Sequence, residues 1–283
     1  MCADQARKAD QSRLMVRCAM LSDVGCVRGQ NEDAVGCMIP REDDPFAHAG
    51  ALAVVADGMG GHAAGEVASR IALRTVLHEY YRDPGLPTEA LKKAFFVANQ
   101  AIGEHVAAEP SCDGMGTTCS AVAIVNDLAY IAHIGDSRIY LLRQREFRQL
   151  TEDDSLVGEM FREGLLTAEE ANRHPDKNVL LRALGAPEYE PAVSPDGFPL
   201  EHDDVLMLCT DGISDQIDDA TIASVIMQFE PVDACQKLIE LARMAGGLDN
   251  ASVAICSLQR QPTRRGASVR STRETNVPPN VTG

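Results

Sequence analysis

Two apolar runs far apart in the chain end in the same dipeptide. "ALAVVADG" closes on Asp57-Gly58 and "DVLMLCTDG" closes on Asp211-Gly212. An ionised carboxylate at the end of a buried strand is costly unless a positive group meets it. A strand end fixes where its last side chain points, and the glycine lets the backbone turn sharply or another group come close. A chain that repeats this device has to fold so that strand ends gather around something cationic. The pattern suits a metal site.

The rest of the chain reads as grouped elements. Short apolar runs at 16–21 and 51–56 predict strands. Residues 64–81 set Val67, Ile71, Leu73 and Leu77 near one face, which predicts an amphipathic helix, and a second helix is expected over 88–108. "TTCSAVAIVND" followed by "LAYIAHIGDSRIYLLRQREFRQL" reads as an antiparallel meander, with turns at Asn126-Asp127 and around Gln144 to Glu146. Residues 151–184 are more polar, with a Thr167/Glu170 capping box that opens a short helix, and they read as a mobile insertion over the core. A strand over 204–212, helices near 219–229 and 232–245, and a last strand "ASVAICSL" complete the pattern. Grouped strands and helices, rather than strict alternation, point to a layered α+β fold in one domain spanning 15–259. Residues 1–14 read as a polar tail, with no apolar signal core.

Several classes of function are excluded. A formal net charge of −16 leaves no clustered lysine and arginine surface for nucleic acid. No apolar run approaches the roughly 20 residues of a membrane span, so a soluble, cytoplasmic protein is expected. The nine cysteines are scattered, with no C-x-x-C pair for zinc or a redox dithiol, and read as buried reduced thiols. From residue 260 the composition turns basic and loses apolar periodicity, five arginines standing against Glu274, which predicts a disordered tail.

More carboxylates join the two strand ends. "GQNEDAV" supplies Glu32 and Asp33, "CDGMGTT" supplies Asp113, and "GGLDNASVAIC" places Asp249 just before the last strand. Separated aspartates without a cysteine or histidine cluster select hard cations such as Mg²⁺ or Mn²⁺. Taken singly, each could equally be a turn or cap residue. No calcium loop of the D-x-[DN]-x-[DN]-G type occurs, and no D-x-D nucleophile motif of an aspartyl-phosphate enzyme.

In order along the chain stand "SDVGCVRGQNEDA", "VVADGMGGHAAGEVAS", "DGMGTT", "AHIGDSRIYLL", "LTEDDSLV", "HPDKNVLLRALG", "CTDGISD" and "GGLDNASV". With these blocks the sequence resembles the metal-dependent protein phosphatases of the protein phosphatase 2C type, in their compact bacterial form, over 16–258. The resemblance implies a four-layer α-β-β-α sandwich, two antiparallel sheets face to face with helix pairs outside. It implies that Asp57 bridges two metal ions, with the Gly58 carbonyl beside it. Asp211 and Asp249 would complete the other metal's shell, Asp33 would act through metal-bound water, and Asp113 would help to hold a third, weaker ion. The ions expected are Mn²⁺ or Mg²⁺.

The resemblance further implies a protein-serine/threonine phosphatase, in which a water or hydroxide shared by two metals attacks phosphorus. Arg28 matches the family's phosphate-binding arginine, and its guanidinium suits two phosphate oxygens. His62, the nearest histidine in the glycine loop, is a candidate proton donor to the leaving oxygen, or equally a structural loop residue. Asp136, Ser137 and Arg138 of "GDSR", with Asn250, are expected to support rather than ligate. Where relatives carry a histidine in "LTEDDSL", this chain has Asp154, at the entry to the flap-like insertion. Phosphorylated proteins are the expected partners, with a cognate serine/threonine kinase and a monomeric enzyme implied by kinship. The competing reading is a catalytically silent module that binds phosphoproteins or metal.

Overall fold

The computed structural model describes residues 14–60, 64–82, 85–186 and 189–260. The first part of the chain forms β1 (Leu14–Asp23), β2 (Asp33–Met38), β3 (Ala51–Met59), α1 (Ala64–Arg82) and α2 (Pro87–Ala108). The middle forms β4 (Gly116–Thr117), β5 (Cys119–Val125), β6 (Leu128–Ile134), β7 (Arg138–Arg143) and β8 (Glu146–Gln149), then α3 (Leu156–Arg162) and α4 (Ala168–Asn172). The last part forms β9 (Ala192–Val193), β10 (Phe198–Pro199), β11 (Val205–Cys209), α5 (Asp211–Ser214), α6 (Asp219–Gln228), α7 (Pro231–Met244) and β12 (Ala251–Arg260).

Strand pairing yields two sheets. One runs β1-β12-β11-β7-β8; the other runs β10-β6-β5-β3-β2, with β4 beside β3 and β9 beside β6. Every pairing is antiparallel. The hairpin residues explain the local turns: Asn126 and Asp127 have φ of 50° and 62°, and Gln144 and Arg145 have 50° and 72°, the left-handed pair that matches strand twist.

Alternation along each strand sorts the apolar side chains into three layers. Ala53, Val55, Val122, Leu206, Leu208 and Ala254 face the partner sheet and fill the space between sheets. Leu52, Val54 and Ala121 face the other way, against Val76, Leu91 and Phe95 of α1 and α2. Met207, Val253 and Ile255 meet Ile222, Leu238 and Ile239 of α6 and α7. Burying each Leu or Ile in these layers contributes about 1.5–3 kcal/mol relative to leaving it exposed. The result is the expected α-β-β-α sandwich.

The structure departs from the sequence reading at several places. Residues 33–38, to which the sequence reading assigned no element, form edge strand β2, because "DAVGCM" has one face on the inter-sheet core and the other on α1. β3 continues past Asp57 to Met59, so this aspartate lies inside the strand rather than at its end. Asp211 opens the short helix α5, and α3 was not anticipated at all. The 151–184 segment is tied in at both ends: Leu156 N–H donates to Val179 O at 2.8 Å, and Leu184 pairs with Thr117. Its expected Thr167/Glu170 capping box is present and opens α4. Both tails lie outside the described residues.

Candidate metal centre

Asp33, the first residue of β2, stands directly opposite Asp57 of β3. The Thr210 hydroxyl at the end of β11 donates to Asp33 Oδ2 at 2.9 Å, and the next residue is Asp211. Thr210 Oγ1 in turn accepts the Ser252 N–H at 3.0 Å, so three strands converge on one carboxylate. The backbone around Asp57 is pinned by Thr118, whose hydroxyl accepts the Asp57 N–H at 2.9 Å, and by Thr117, which donates to Asp57 O at 2.8 Å.

Both glycines of the Asp-Gly pairs are required by close approach and not by a turn. A Cβ on Gly58 would lie 2.1 Å from Gly65 O and 2.6 Å from Glu32 O. On Gly212 it would lie 1.9 Å from Asn250 O. Each glycine therefore lets a neighbouring backbone press against the strand that carries its aspartate.

The electrostatics are those of anions lacking a counter-charge. Burial pushes the Asp33 carboxyl up to about 7, with Asp211 and Asp249 adding repulsion against its hydrogen bonds from Ser252 and Thr210. Burial and then Asp215 and Asp249 push Asp211 up to about 6. Asp57 is held well above the carboxylate range by burial and by Asp33, Asp211, Asp136 and Asp249. Among the described residues, Asp33 Oδ1 and Asp211 Oδ1 are buried oxygens with no hydrogen-bond partner. An all-oxygen carboxylate set with orphaned oxygens fits hard divalent cations.

Around this cluster the other expected residues are distributed unevenly. Asp249 is present, its Oδ2 paired with Arg28 Nη2 at 2.7 Å and its Oδ1 accepting the Asn250 N–H at 2.8 Å. Arg28 therefore reaches the same site, half exposed and with its fork open to solvent. The Asn250 side chain holds the adjoining loop. Its amide donates to Val24 O at 3.0 Å and Gln30 O at 2.9 Å, and its Oδ1 accepts the Glu32 N–H at 2.8 Å, clamping the loop that carries Arg28.

Asp113 sits exposed at the turn after Cys112, with no hydrogen bond or ion pair to the cluster among the described residues. His62 lies outside the described residues. Asp136 belongs with the cluster more closely than expected, since its charge acts on Asp57 while burial and Asp211 hold its own carboxyl well above the usual range. The signal for it was in the sequence: "AHIGDS" is another apolar strand that runs into glycine and aspartate.

Beside Asp136 and Asp211 opens a cavity of about 680 Å³ whose walls include Arg138, Asp153, Lys177 and Asp215. Arg138 grips Asp153 with Nε at 3.0 Å and Nη2 at 2.6 Å. Asp154, the departure in "LTEDDSL", is buried; it accepts from Gly135 N–H at 3.2 Å and pairs with Arg182 at 2.9 Å. The aspartate thus fastens the insertion to the β6–β7 turn.

Comparison with known proteins agrees with this geometry. The family described as Protein phosphatase 2C matches residues 38–245. The serine/threonine protein phosphatase PstP of Mycobacterium tuberculosis is 40% identical over 262 residues, covering 90% of this chain and 48% of that protein. The protein phosphatase PhpP of Streptococcus pneumoniae is 37% identical over 251 residues, covering 86% and 98%. A solved structure of the M. tuberculosis PstP catalytic domain in complex with two manganese ions has a TM-score of 0.76 at 39% identity, covering 87% of this chain and 99% of that one. A fold of stacked antiparallel sheets with carboxylates gathered at their shared end defines a metal-dependent phosphatase scaffold. The chain belongs to the protein phosphatase 2C family. It spans about half the length of the M. tuberculosis relatives it matches. Among the described residues no helix is long and apolar enough to cross a membrane.

Proposed function

We propose that this chain is a protein-serine/threonine phosphatase that hydrolyses phosphoseryl and phosphothreonyl proteins with Mn²⁺ or Mg²⁺, its catalytic unit spanning 15–259 with 151–184 as a flap. The observation that carries this reading is the convergence of Asp33, Asp57, Asp211 and Asp249, two of them with orphaned buried oxygens, beside Arg28. Asp33, Asp57, Asp211, Asp249 and the Gly58 carbonyl would hold the cations, with Asp113 toward a third and weaker one. Bound divalent cations supply an acidified water and neutralise charge on the phosphoryl group.

The chain's own groups do the rest. Arg28 offers a planar fork to two phosphate oxygens, and its pairing with Asp249 fixes it at the mouth of the cluster. Asn250 holds the Arg28 loop at fixed distance from the strand ends. Thr210 holds Asp33 Oδ2 and is itself held by the Ser252 N–H, which leaves Oδ1 buried and without a partner. His62 remains the candidate donor to the leaving serine or threonine oxygen. Kinship with the serine/threonine phosphatases PstP and PhpP and the complex of PstP with manganese support the substrate class and the metal. Kinship favours a cognate serine/threonine kinase whose products are the substrates and a monomeric enzyme, and the proposed place of action is the cytoplasm.

The test is phosphate release from a phosphothreonine peptide with Mn²⁺ and then with excess chelator. Release that stops with chelator and is absent in Asp57→Ala supports the reading. Release by Asp57→Ala at the wild-type rate overturns it.

A further inference from the structure

Far from the carboxylates, three cysteines from three strands meet. Cys18 of β1 and Cys256 of β12 are register partners in one sheet, and their sulfurs lie 3.2 Å apart. Cys37 comes from β2 of the other sheet, and all three Sγ atoms lie within 4.8 Å of one another. The three residues face the layer between the sheets, beside Val16, Val35, Ala254 and Leu258. β1 and β2 are the edge strands of their sheets, so the cluster bridges two edges of the sandwich. Cys256 is buried, whereas Cys18 and Cys37 are half-buried, which leaves a way in from solvent.

We propose that Cys18, Cys37 and Cys256 form a three-sulfur site for a soft, thiolate-seeking cation of the copper(I) class. With metal–sulfur bonds of about 2.3 Å, three ligands in a plane around one ion place their sulfurs about 4 Å apart, within the observed cluster. Soft thiolates select copper(I), zinc or iron–sulfur groups over the hard ions suited to the carboxylates. The donor count separates these candidates. Structural zinc closes its shell with four ligands, and among the described residues no fourth donor joins the three sulfurs. Hydrogen bonds from Cys18 and Cys256 pull the Cys37 thiol well below the usual thiol range. Each thiol releases its proton to solvent as its sulfur binds the ion.

The site is separate from the phosphatase centre: Cys37 lies four residues along β2 from Asp33, about 13 Å at the usual strand rise. A bound ion would staple β2 to β1 and β12 across the sheets, and because the assembled site binds it more tightly than the unfolded chain does, it would raise the melting temperature.

The experiment is titration of the full chain, fully reduced, with copper(I) in competition with bicinchoninate, followed by near-ultraviolet charge-transfer absorbance and melting temperature. One tight equivalent with a raised melting temperature is expected. Cys37→Ala and Cys18→Ala should weaken it by roughly 100-fold or more, since loss of even an outer partner of a metal site costs 10–100-fold. Cys26→Ala, at an exposed cysteine outside the cluster, should leave it unchanged. Retention of the equivalent by Cys37→Ala and Cys18→Ala, its absence from wild type, or equally tight binding of zinc overturns the assignment.

Discussion

Asp33 and Asp57 occupy opposing positions across the β2–β3 ladder, two carboxylates where like charges directly opposite destabilise a sheet. The pair is held in place by neighbours that do nothing to neutralise it. Thr210 orients Asp33, and Thr117 and Thr118 grip the backbone of Asp57. A sheet that keeps this arrangement does so for a cation, and the stability of the metal-free chain carries the strain.

The first consequence is a pH dependence with a definite sign. Asp33 sits at about 7 and Asp211 at about 6 in the folded chain, against about 3.9 for an unperturbed aspartate. Between these values the folded state binds more protons than the unfolded state, so the stability these two groups contribute is full below about pH 4 and is lost as pH rises through 7. Carboxylates held low, such as Asp218 bonded to the Thr221 N–H, act in the opposite sense only at the acid end. Calorimetry in chelator should show the melting temperature falling from pH 5 to pH 7.5, and Mn²⁺ should remove most of that fall. A rise over the same range in chelator contradicts this account.

Replacing one member of the pair should separate stability from activity. Asp33→Asn removes a buried charge while keeping the Thr210 hydrogen bond, so the metal-free chain should gain about 1–3 kcal/mol at pH 7.5, the scale of an uncompensated buried polar group. Urea unfolding measures the gain. Phosphopeptide hydrolysis should be lost in the same protein.

Gly212→Ala tests the close approach directly. Its Cβ would fall 1.9 Å from Asn250 O, backbone against backbone, so α5 must move away from the start of β12. A loss of at least about 1–3 kcal/mol is expected, as for other overpacked sites, along with weaker Mn²⁺ binding because Asp211 moves with it. Wild-type stability would show that the contact is not rigid.

Asn250→Ala leaves the Glu32 N–H and the Val24 and Gln30 carbonyls without their side-chain partner. About 1–3 kcal/mol of stability should be lost. Because the loop so released carries Arg28, KM for a phosphopeptide should rise more than kcat falls. The ratio of the two effects checks the positioning role.

Much of this was written in the sequence at short range. The amphipathic pattern of α1, the helices α2 and α7, and the Thr167/Glu170 cap all depend on neighbours within a few residues, and each appears in the structure, as does the strand leading into Asp57-Gly58, though it runs on past the aspartate. Strand β2 escaped because "DAVGCM" is short and packs on both faces, so its apolar residues show no clean alternation. Asp136 was assigned a supporting part at a strand end; the strand running into Gly-Asp was legible in "AHIGDS", but only the fold brings its charge against Asp57. The three-cysteine cluster was illegible for the same reason: Cys18, Cys37 and Cys256 share no local spacing, and sheet stacking alone makes them neighbours.

The central claim is that the carboxylate cluster is a binding site for hard divalent cations. Equilibrium titration of the chelator-stripped chain with Mn²⁺ at pH 7.5 tests it most directly. The account predicts two tight equivalents in wild type, with at least one lost in Asp57→Asn that otherwise unfolds cooperatively. Absence of tight binding in wild type, or the same two equivalents in Asp57→Asn, contradicts it.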